Sequence, residues 1–215
     1  MESPYLTVLT LEDRAAVLRV ARRRRYARRE VLFHEGDPAD TFHILDRGHV
    51  AVRTTNPFGE VALLRVLGPG AAFGEMALID ASPRMASIVA LDPCETLTLH
   101  RDAFDGLRSA HPGIDRVLLA AMVSEVRRLS TVTLELMYLP VDKRLCRRLV
   151  DLAGIYSEGG PVTVPLTQQD IAQLTGTTRQ TSNRVLRAAE AAGLLRVGRG
   201  RIELLDVEGL ARQSR

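Results

Sequence analysis

Between residues 30 and 100 the apolar positions fall in short alternating or β-branched runs: "EVLFHE", "TFHILDRGHVAVRT", "VALLRVLGPG" and "ASIVALDPCETLTLH". Turn formers separate them, at Gly36-Asp37-Pro38, Asp46-Arg47-Gly48, Asn56-Pro57, Gly68-Pro69-Gly70 and Asp92-Pro93. Several short strands at this spacing predict an antiparallel barrel or sandwich, a container with room for one small ligand. Residues 1–29 read as mostly helical. Thr10 precedes "LEDRAAVLRVA" with Asp13 three positions on, a variant of the capping box. Leu11, Ala15, Leu18 and Val17 would form its apolar face. The run "RRRRYARR" from Arg22 to Arg29 reads as a solvated helix end and loop, where arginines suit the helix macrodipole. A patch for DNA or anionic lipid is the other reading of that run, without a second feature behind it.

After residue 100 the period changes from two to between three and four. Residues 101–110 predict a short helix, and His111-Pro112 opens a long one. Its seam steps by four and three through Leu118, Met122, Glu125, Leu129, Val132, Leu136 and Leu139. That is a coiled-coil spacing over three heptads, broken only by Glu125. A two-fold helix pair is favoured over an ordinary core helix packing on its own barrel. Pro140 ends or kinks the helix, so the hinge is expected at Leu139–Pro140. "VDKRLCRRLVDLAGIY" presents Val141, Leu145, Leu149 and Leu152 on one face, and "VTVPL" is a short strand. In "TQQDIAQLTGTTRQTSNRVLRAAEAAG" Thr167 caps one helix, with Asp170 three on, and Gly176 supplies a turn. Thr178 then caps a second helix with Val185, Leu186 and Ala189 inside, and Gly193 stops it. "LLRVGRGRIELL" forms a hairpin around Gly198-Arg199-Gly200.

The 215 residues allow one large domain or two modest ones, and 46% apolar content is enough for a core. The net charge of +3 is uneven. Residues 140–215 hold 12 Lys/Arg against 8 Asp/Glu, and the remainder holds 17 against 18. The basic excess of the last third points to an anionic partner there, nucleic acid being the commonest. No apolar run reaches the roughly 18 residues of a membrane span, and the N-terminus has no signal-peptide pattern. Cys94 and Cys146 fit no zinc or iron–sulfur spacing and read as buried free thiols in a reducing cytoplasm. No metal site is expected.

Two stretches carry chemistry. Paired helices about a glycine turn, followed by a hairpin wing, form a helix-turn-helix unit whose second helix enters the major groove. Its leading residues are Thr178, Arg179, Gln180, Ser182, Asn183 and Arg184. Arginine can present a bidentate pair to guanine and glutamine to adenine. Thr167, Thr177 and Thr178 are candidates for phosphate contacts, and Arg199 and Arg201 of the wing for backbone charge. The second stretch, "FGEMALIDASPRMAS", has the form of an anion pocket: Gly74-Glu75, a short apolar turn, then Arg84. Met85 stands where a hydroxyl would help. A haem ligand from among His34, His43, His49, His100 and His111 is left open, although single barrel histidines are more often surface or hydrogen-bonded core groups. No nucleophile–base pair, metal cluster or phosphate loop suggests an enzyme. A binding module that acts through a protein partner is the remaining alternative.

The order of barrel, long helix and winged helix-turn-helix resembles the cyclic-AMP receptor protein and fumarate-nitrate reduction regulator (CRP/FNR) family over roughly residues 5 to 207. The anchors are "FGEMALIDASPR", "LPVDKRL" and "LTQQDIAQLTGTTRQTSNRVL". The resemblance implies an α+β chain with an N-terminal double-stranded β-helix (jelly-roll-like) cyclic-nucleotide-binding domain over 1–110. A dimerisation helix over 111–139 and a winged helix-turn-helix DNA-binding domain over 140–215 would follow. It implies a cytoplasmic homodimer on palindromic double-stranded DNA, with RNA polymerase as a further partner and cyclic AMP as the candidate effector. It also implies that Gly74, Met76 and Ala77 line a cyclic phosphate, that Glu75 accepts from a ribose hydroxyl and that Arg84 pairs with the phosphate. The adenine-contacting pair falls at Leu129 and Ser130. Met85 and Leu129 replace hydroxyls of the family pattern, which leaves cyclic AMP, another effector and no effector all open. So does an alternative in which Glu75 and Arg84 pair with each other and merely brace the barrel. The recognition helix keeps both arginines, Arg179 and Arg184, and has Gln180 where the family commonly has glutamate.

Overall fold

The computed structural model describes residues 9–157 and 162–215. Residues 1–8, part of the expected N-terminal helical stretch and of the region compared with the family, lie outside the described residues, as do residues 158–161. The chain divides into two compact units, Met1–Thr54 with Leu67–Leu129 and Thr55–Val66 with Ser130–Arg215.

The first unit opens with α1 (Leu11–Val20), capped by Thr10, whose side chain accepts from the Asp13 amide. The strands follow in chain order: β1 (Arg22–Tyr26), β2 (Val31–Phe33), β3 (Thr41–Arg47), β4 (Val50–Thr55), β5 (Val61–Leu67), nearly all of which is grouped with the second unit, β6 (Ala72–Phe73), β7 (Ser87–Ala90) and β8 (Cys94–His100). A single turn, α2 (Met76–Ile79), lies between β6 and β7, and α3 (Arg101–Ala110) follows β8. The strands form two four-stranded antiparallel sheets, ordered β1-β8-β3-β6 and β2-β7-β4-β5. Strand β3 is buried on both faces, and its alternation divides the core. Phe42 and Ile44, with Leu97 and Leu99 of β8, pack outward on Ala16, Val17, Phe104, Leu107, Ile114 and Leu118 of the helices. Leu45 joins Val50, Phe73, Ile88, Ala90 and Cys94 on the opposite side. On that side β3 also carries Thr41 and His43, four residues and two residues before Leu45.

Two expectations for the N-terminal stretch fail. The arginine run is a strand: Arg22–Tyr26 pairs antiparallel with β8, from Arg22↔Thr98 to Tyr26↔Cys94. Arg23 bridges to Asp46 and Glu95, and Arg25 to Glu95. Ladder bonds and these acidic partners outweigh the helical context of the sequence, and a charged edge strand resists pairing with a foreign one. In α1 the buried residues are Asp13, Ala16 and Val17, whereas Leu11, Ala15 and Leu18 face solvent. Asp13 accepts from His111 Nδ1 at 2.8 Å, and that polar contact sets the helix rotation.

Helix α4 (Gly113–Tyr138) is 26 residues long, about 39 Å at 1.5 Å per residue. Leu118, expected on the seam, is buried in its own unit's core beside Ile114. The seam's Met122, Glu125, Val132 and Leu139 are half-buried, and Leu129 and Leu136 are exposed. Glu125 is held by Arg128 at 2.6 and 2.9 Å, so the charge on the stripe is matched. A second line of exposed positions runs one residue later, through the apolar Leu119, Val123, Val126 and Met137, with Ser130 and Thr133 completing the steps of four and three.

The second unit contains α5 (Val141–Tyr156), β9 (Val162–Val164), α6 (Gln168–Thr175), α7 (Arg179–Ala191), β10 (Leu195–Gly198), β11 (Arg201–Leu204) and α8 (Val207–Gln213). Pro140 starts α5, where a missing amide costs nothing. Thr167 and Asp170 form a reciprocal capping box on α6, and Gly176 ends it in the left-handed region at φ 65°. Strands β10, β11 and β9 make the wing sheet. Leu145, Leu149, Leu166, Ile171, Leu186, Ile202 and Leu210 are fully buried. A polar bracket joins the end of α4 to α5 and α6. Glu135 is buried between Arg147, at 2.9 Å, and Arg148. Arg144 donates to the carbonyls of Leu139 and Thr175.

Candidate functional site

The barrel site is built around Arg84, which is 3% exposed. Its Nη1 donates to the Gly74 carbonyl at 2.8 Å. Its Nη2 donates to the Thr41 carbonyl at 2.7 Å and to Thr41 Oγ1 at 2.9 Å. The guanidinium lies 4.1 Å over the Phe33 ring, a cation–π contact. Asp40 Oδ1 is 3.7 Å away. Burial lowers the Arg84 pKa, while Asp40, Asp37 and Glu75 pull it back up. Arginine remains charged under that balance. Its Nε is buried without a hydrogen-bond partner. A buried cation with an unfilled donor is the arrangement that accepts an anionic oxygen, so the residues present fit a phosphate.

Gly74 permits this approach. It has φ 89°, and a Cβ there would stand 2.7 Å from Arg84 Nη1. Glu75 precedes α2, and Ala77 is buried while Met76 is exposed. The hydrogen bonds of that turn begin at the Leu78 amide, which reaches the Glu75 carbonyl. Met85 is 60% exposed, so its thioether does not fill the barrel beside Arg84. Leu129 and Ser130 are exposed on α4. The bracing alternative is only partly met: Arg84 is held by main chain and Thr41, and Glu75 reaches it through charge.

Sequence reasoning missed the polar interior behind Arg84. His43 Nε2 is 3.1 Å from Thr41 Oγ1, and its Nδ1 is 3.3 and 3.2 Å from Thr96 and Thr98 Oγ1. The His43 ring stacks on Phe73, its cross-strand partner, at 5.2 Å and 4°. Burial, then Arg84, pushes its pKa down to about 3, so it is neutral. It is therefore a hydrogen-bonded core histidine. Threonines at alternate positions of "CETLTLH" were the available signal, since two buried hydroxyls on one barrel face need a polar partner.

In the second unit, α7 exposes Arg179, Gln180 and Arg184. Thr178 caps the helix, accepting from the Thr181 amide and donating to Thr181 Oγ1. Thr177 is half-buried. Thr167 is exposed, with its hydroxyl engaged by Asp170 at 2.6 Å. Ser182 corrects the expected set. It is fully buried, its hydroxyl 3.5 Å from the Gln168 carbonyl, because it falls on the face that packs against α6. Asn183 donates to Gln168 Oε1 at 2.6 Å and is half-buried. In the wing, Arg199 is exposed at the turn, and Arg201 pairs with Glu203 at 3.1 Å. Arg187, not among the expected contacts, is exposed on α7 and pairs with Glu190.

The sequence matches the cyclic nucleotide-binding domain family over residues 23–111 and the Crp-like helix-turn-helix domain family over residues 143–213. It is 32% identical over 194 residues to the CRP-like cAMP-activated global transcriptional regulator of Mycobacterium tuberculosis, covering 88% of this chain and 87% of that protein. It is 32% identical over 204 residues to the cyclic AMP receptor protein of Thermus thermophilus, covering 95% and 93%. Among solved structures, the c-di-GMP-responsive global regulator CLP of Xanthomonas campestris superposes with a TM-score of 0.73 at 27% identity, over 91% of this chain and 99% of its own. The Thermus thermophilus catabolite activator protein gives 0.56 at 31%, over 99% and 98%. These relatives are regulators of transcription, not enzymes. With matches to the cyclic nucleotide-binding domain family and to the Crp-like helix-turn-helix family on one chain, the protein belongs to the CRP/FNR family of transcriptional regulators.

Proposed function

We propose that the protein works as a cytoplasmic homodimer that reads a palindromic operator and is controlled by a small anionic effector held at Arg84, cyclic AMP leading. The observation that carries the DNA half is the exposure of Arg179, Gln180 and Arg184 on the leading turns of α7, with Val185, Leu186 and Ala189 buried behind them. Arg179 and Arg184 would donate to guanine edges or phosphate, and Gln180 would select the neighbouring base. Thr167, Thr177, Thr178, Asn183, Arg199 and Arg201 would contact the backbone, Arg201 after leaving Glu203. Ser182 has no part in this reading.

The stripe Leu119, Val123, Val126, Ser130, Thr133 and Met137 supports pairing of α4 with a second copy. Two copies of α7 about 34 Å apart, one turn of duplex, would then meet the two half-sites. Effector binding would favour the dimer arrangement with that spacing, and RNA polymerase would be the partner that reads the outcome.

In the barrel, Arg84 Nε and the amides near Gly74, Met76 and Ala77 would take the phosphate, with Glu75 on the ribose. Met85 offers no hydroxyl, and the loss of one neutral hydrogen bond costs roughly 0.5–1.5 kcal/mol. Leu129 and Ser130 offer one hydroxyl between them for a base. Those two gaps favour, as a second reading, a different anionic nucleotide; the Xanthomonas relative is described as c-di-GMP responsive.

Random-site selection with the wild type and Arg179→Ala, with and without cyclic AMP, cyclic GMP and c-di-GMP, tests the proposal. The wild type should enrich a palindrome. Arg179→Ala should lose about 1–3 kcal/mol of base discrimination and keep non-specific binding. A monomer that enriches no sequence under any condition would refute it.

A further inference from the structure

The hydrogen-bond inventory behind Arg84 closes in only one way. Thr41 Oγ1 has three neighbours: Arg84 Nη2 at 2.9 Å, His43 Nε2 at 3.1 Å and Asp40 Oδ1 at 3.0 Å. Arginine can only donate, and a hydroxyl has one proton. That proton goes to the Asp40 carboxylate, so His43 must donate from Nε2. Its Nδ1 is then an acceptor, facing Thr96 and Thr98, whose hydroxyls are 3.1 Å apart. One threonine donates to Nδ1 and the other to its neighbour. The polar side-chain atoms of Thr41, His43, Thr96 and Thr98 are then all engaged, and the buried donor of this cluster left without a partner is Arg84 Nε.

We propose that Thr41 and His43 are the positioning residues of the anion site, fixing the Arg84 guanidinium so that Nε stays turned away from protein acceptors and towards a ligand oxygen. Thr41 grips Nη2 with two oxygens, its carbonyl and its hydroxyl. His43 holds that hydroxyl in place and is itself fixed by its stack on Phe73, one residue before Gly74. Phe33, 5.8 Å from His43 and 6.2 Å from Phe73, supports the guanidinium from below. Strands β3, β6 and β8 thus converge on one side chain. Without this grip a flexible arginine would lose rotamer freedom on each binding event; with it that ordering precedes the ligand. The proposal rests on the anion reading of Arg84 given above, but its geometry can be tested without a ligand.

The test uses the full chain with Thr41→Val, which keeps shape and main-chain carbonyl, Thr41→Ser, which keeps the hydroxyl, and His43→Phe. Hydrogen exchange of the Arg84 Nε–H, followed by NMR on the ligand-free protein, should accelerate on the order of tenfold in Thr41→Val and His43→Phe. It should stay at the wild-type rate in Thr41→Ser. Unchanged exchange in Thr41→Val overturns the proposal. Calorimetric titration with cyclic AMP and with adenosine supplies the second readout. Thr41→Val should weaken cyclic AMP on the order of tenfold and leave adenosine unchanged. Equal weakening of both would mean general damage to the barrel and would also overturn it. A wild type that takes up no cyclic nucleotide would sink the effector reading, while the exchange rates would still decide whether Thr41 and His43 hold Arg84.

Discussion

Acidification should destabilise this protein through His43 before its carboxylates matter. His43 is 2% exposed. Its pKa falls from 6.5 to about 3 because burial disfavours the imidazolium, and Arg84, Arg24 and His100 add repulsion that Asp40 only partly offsets. The unfolded chain therefore takes up a proton that the native state refuses. The resulting stability is present in full above pH 6.5 and is lost progressively as the pH falls towards 3. At pH 5 the loss from this one residue is about 2 kcal/mol. Urea unfolding at pH 7.5 and 5.0, for the wild type and for His43→Phe, isolates it. The other histidines contribute equally to both proteins. Glu95 and Glu190, held below the usual range by Arg23 and by the Val197 amide, matter only at lower pH. The wild type should lose about 2 kcal/mol more than the variant between the two conditions. Equal losses would mean that His43 is charged in the folded barrel, and the tautomer argued for the anion site would fall with it.

Glu135→Ala should leave Arg147 and Arg148 without their shared carboxylate. The arginines are partly solvated, so the cost is expected at about 1–3 kcal/mol rather than the full penalty of a broken buried pair, read as a lower Tm by calorimetry. Cys94 should resist a thiol reagent at pH 8, because burial pushes its pKa up to about 11, and should react only at the rate of unfolding. Rapid modification of the native protein would contradict its place in the barrel core.

Local signals served best where the cause of structure is local. Thr167 with Asp170, Gly176 and Thr178 mark the two helices of the DNA unit within a residue, because caps and left-handed turns depend on near neighbours. They failed where a distant partner decided. Nothing near Arg22–Tyr26 announces a strand; β8 and the carboxylates of Asp46 and Glu95 make it one. Ser182 lies in the run that meets DNA in the family pattern, yet its helical phase turns it onto α6. Leu118 keeps the heptad spacing but is taken into its own core.

From its amino acids alone this chain declares a strand-rich half, a long helix, a capped helix pair with a wing, and an arginine after a Gly-Glu turn. Those features follow from period, turn chemistry and capping, which act over a few residues. The fold alone decides that Arg84 is turned inward onto Thr41 and Gly74 with one donor left over. It also decides that His43 stays neutral behind it and that Leu118 of the heptad line is drawn into its own core while Leu119, one residue on, is exposed. Those outcomes depend on desolvation and on hydrogen bonds between residues more than forty positions apart, such as Arg84 with Thr41 and His43 with Thr96. Only packing in three dimensions brings such groups within reach of one another.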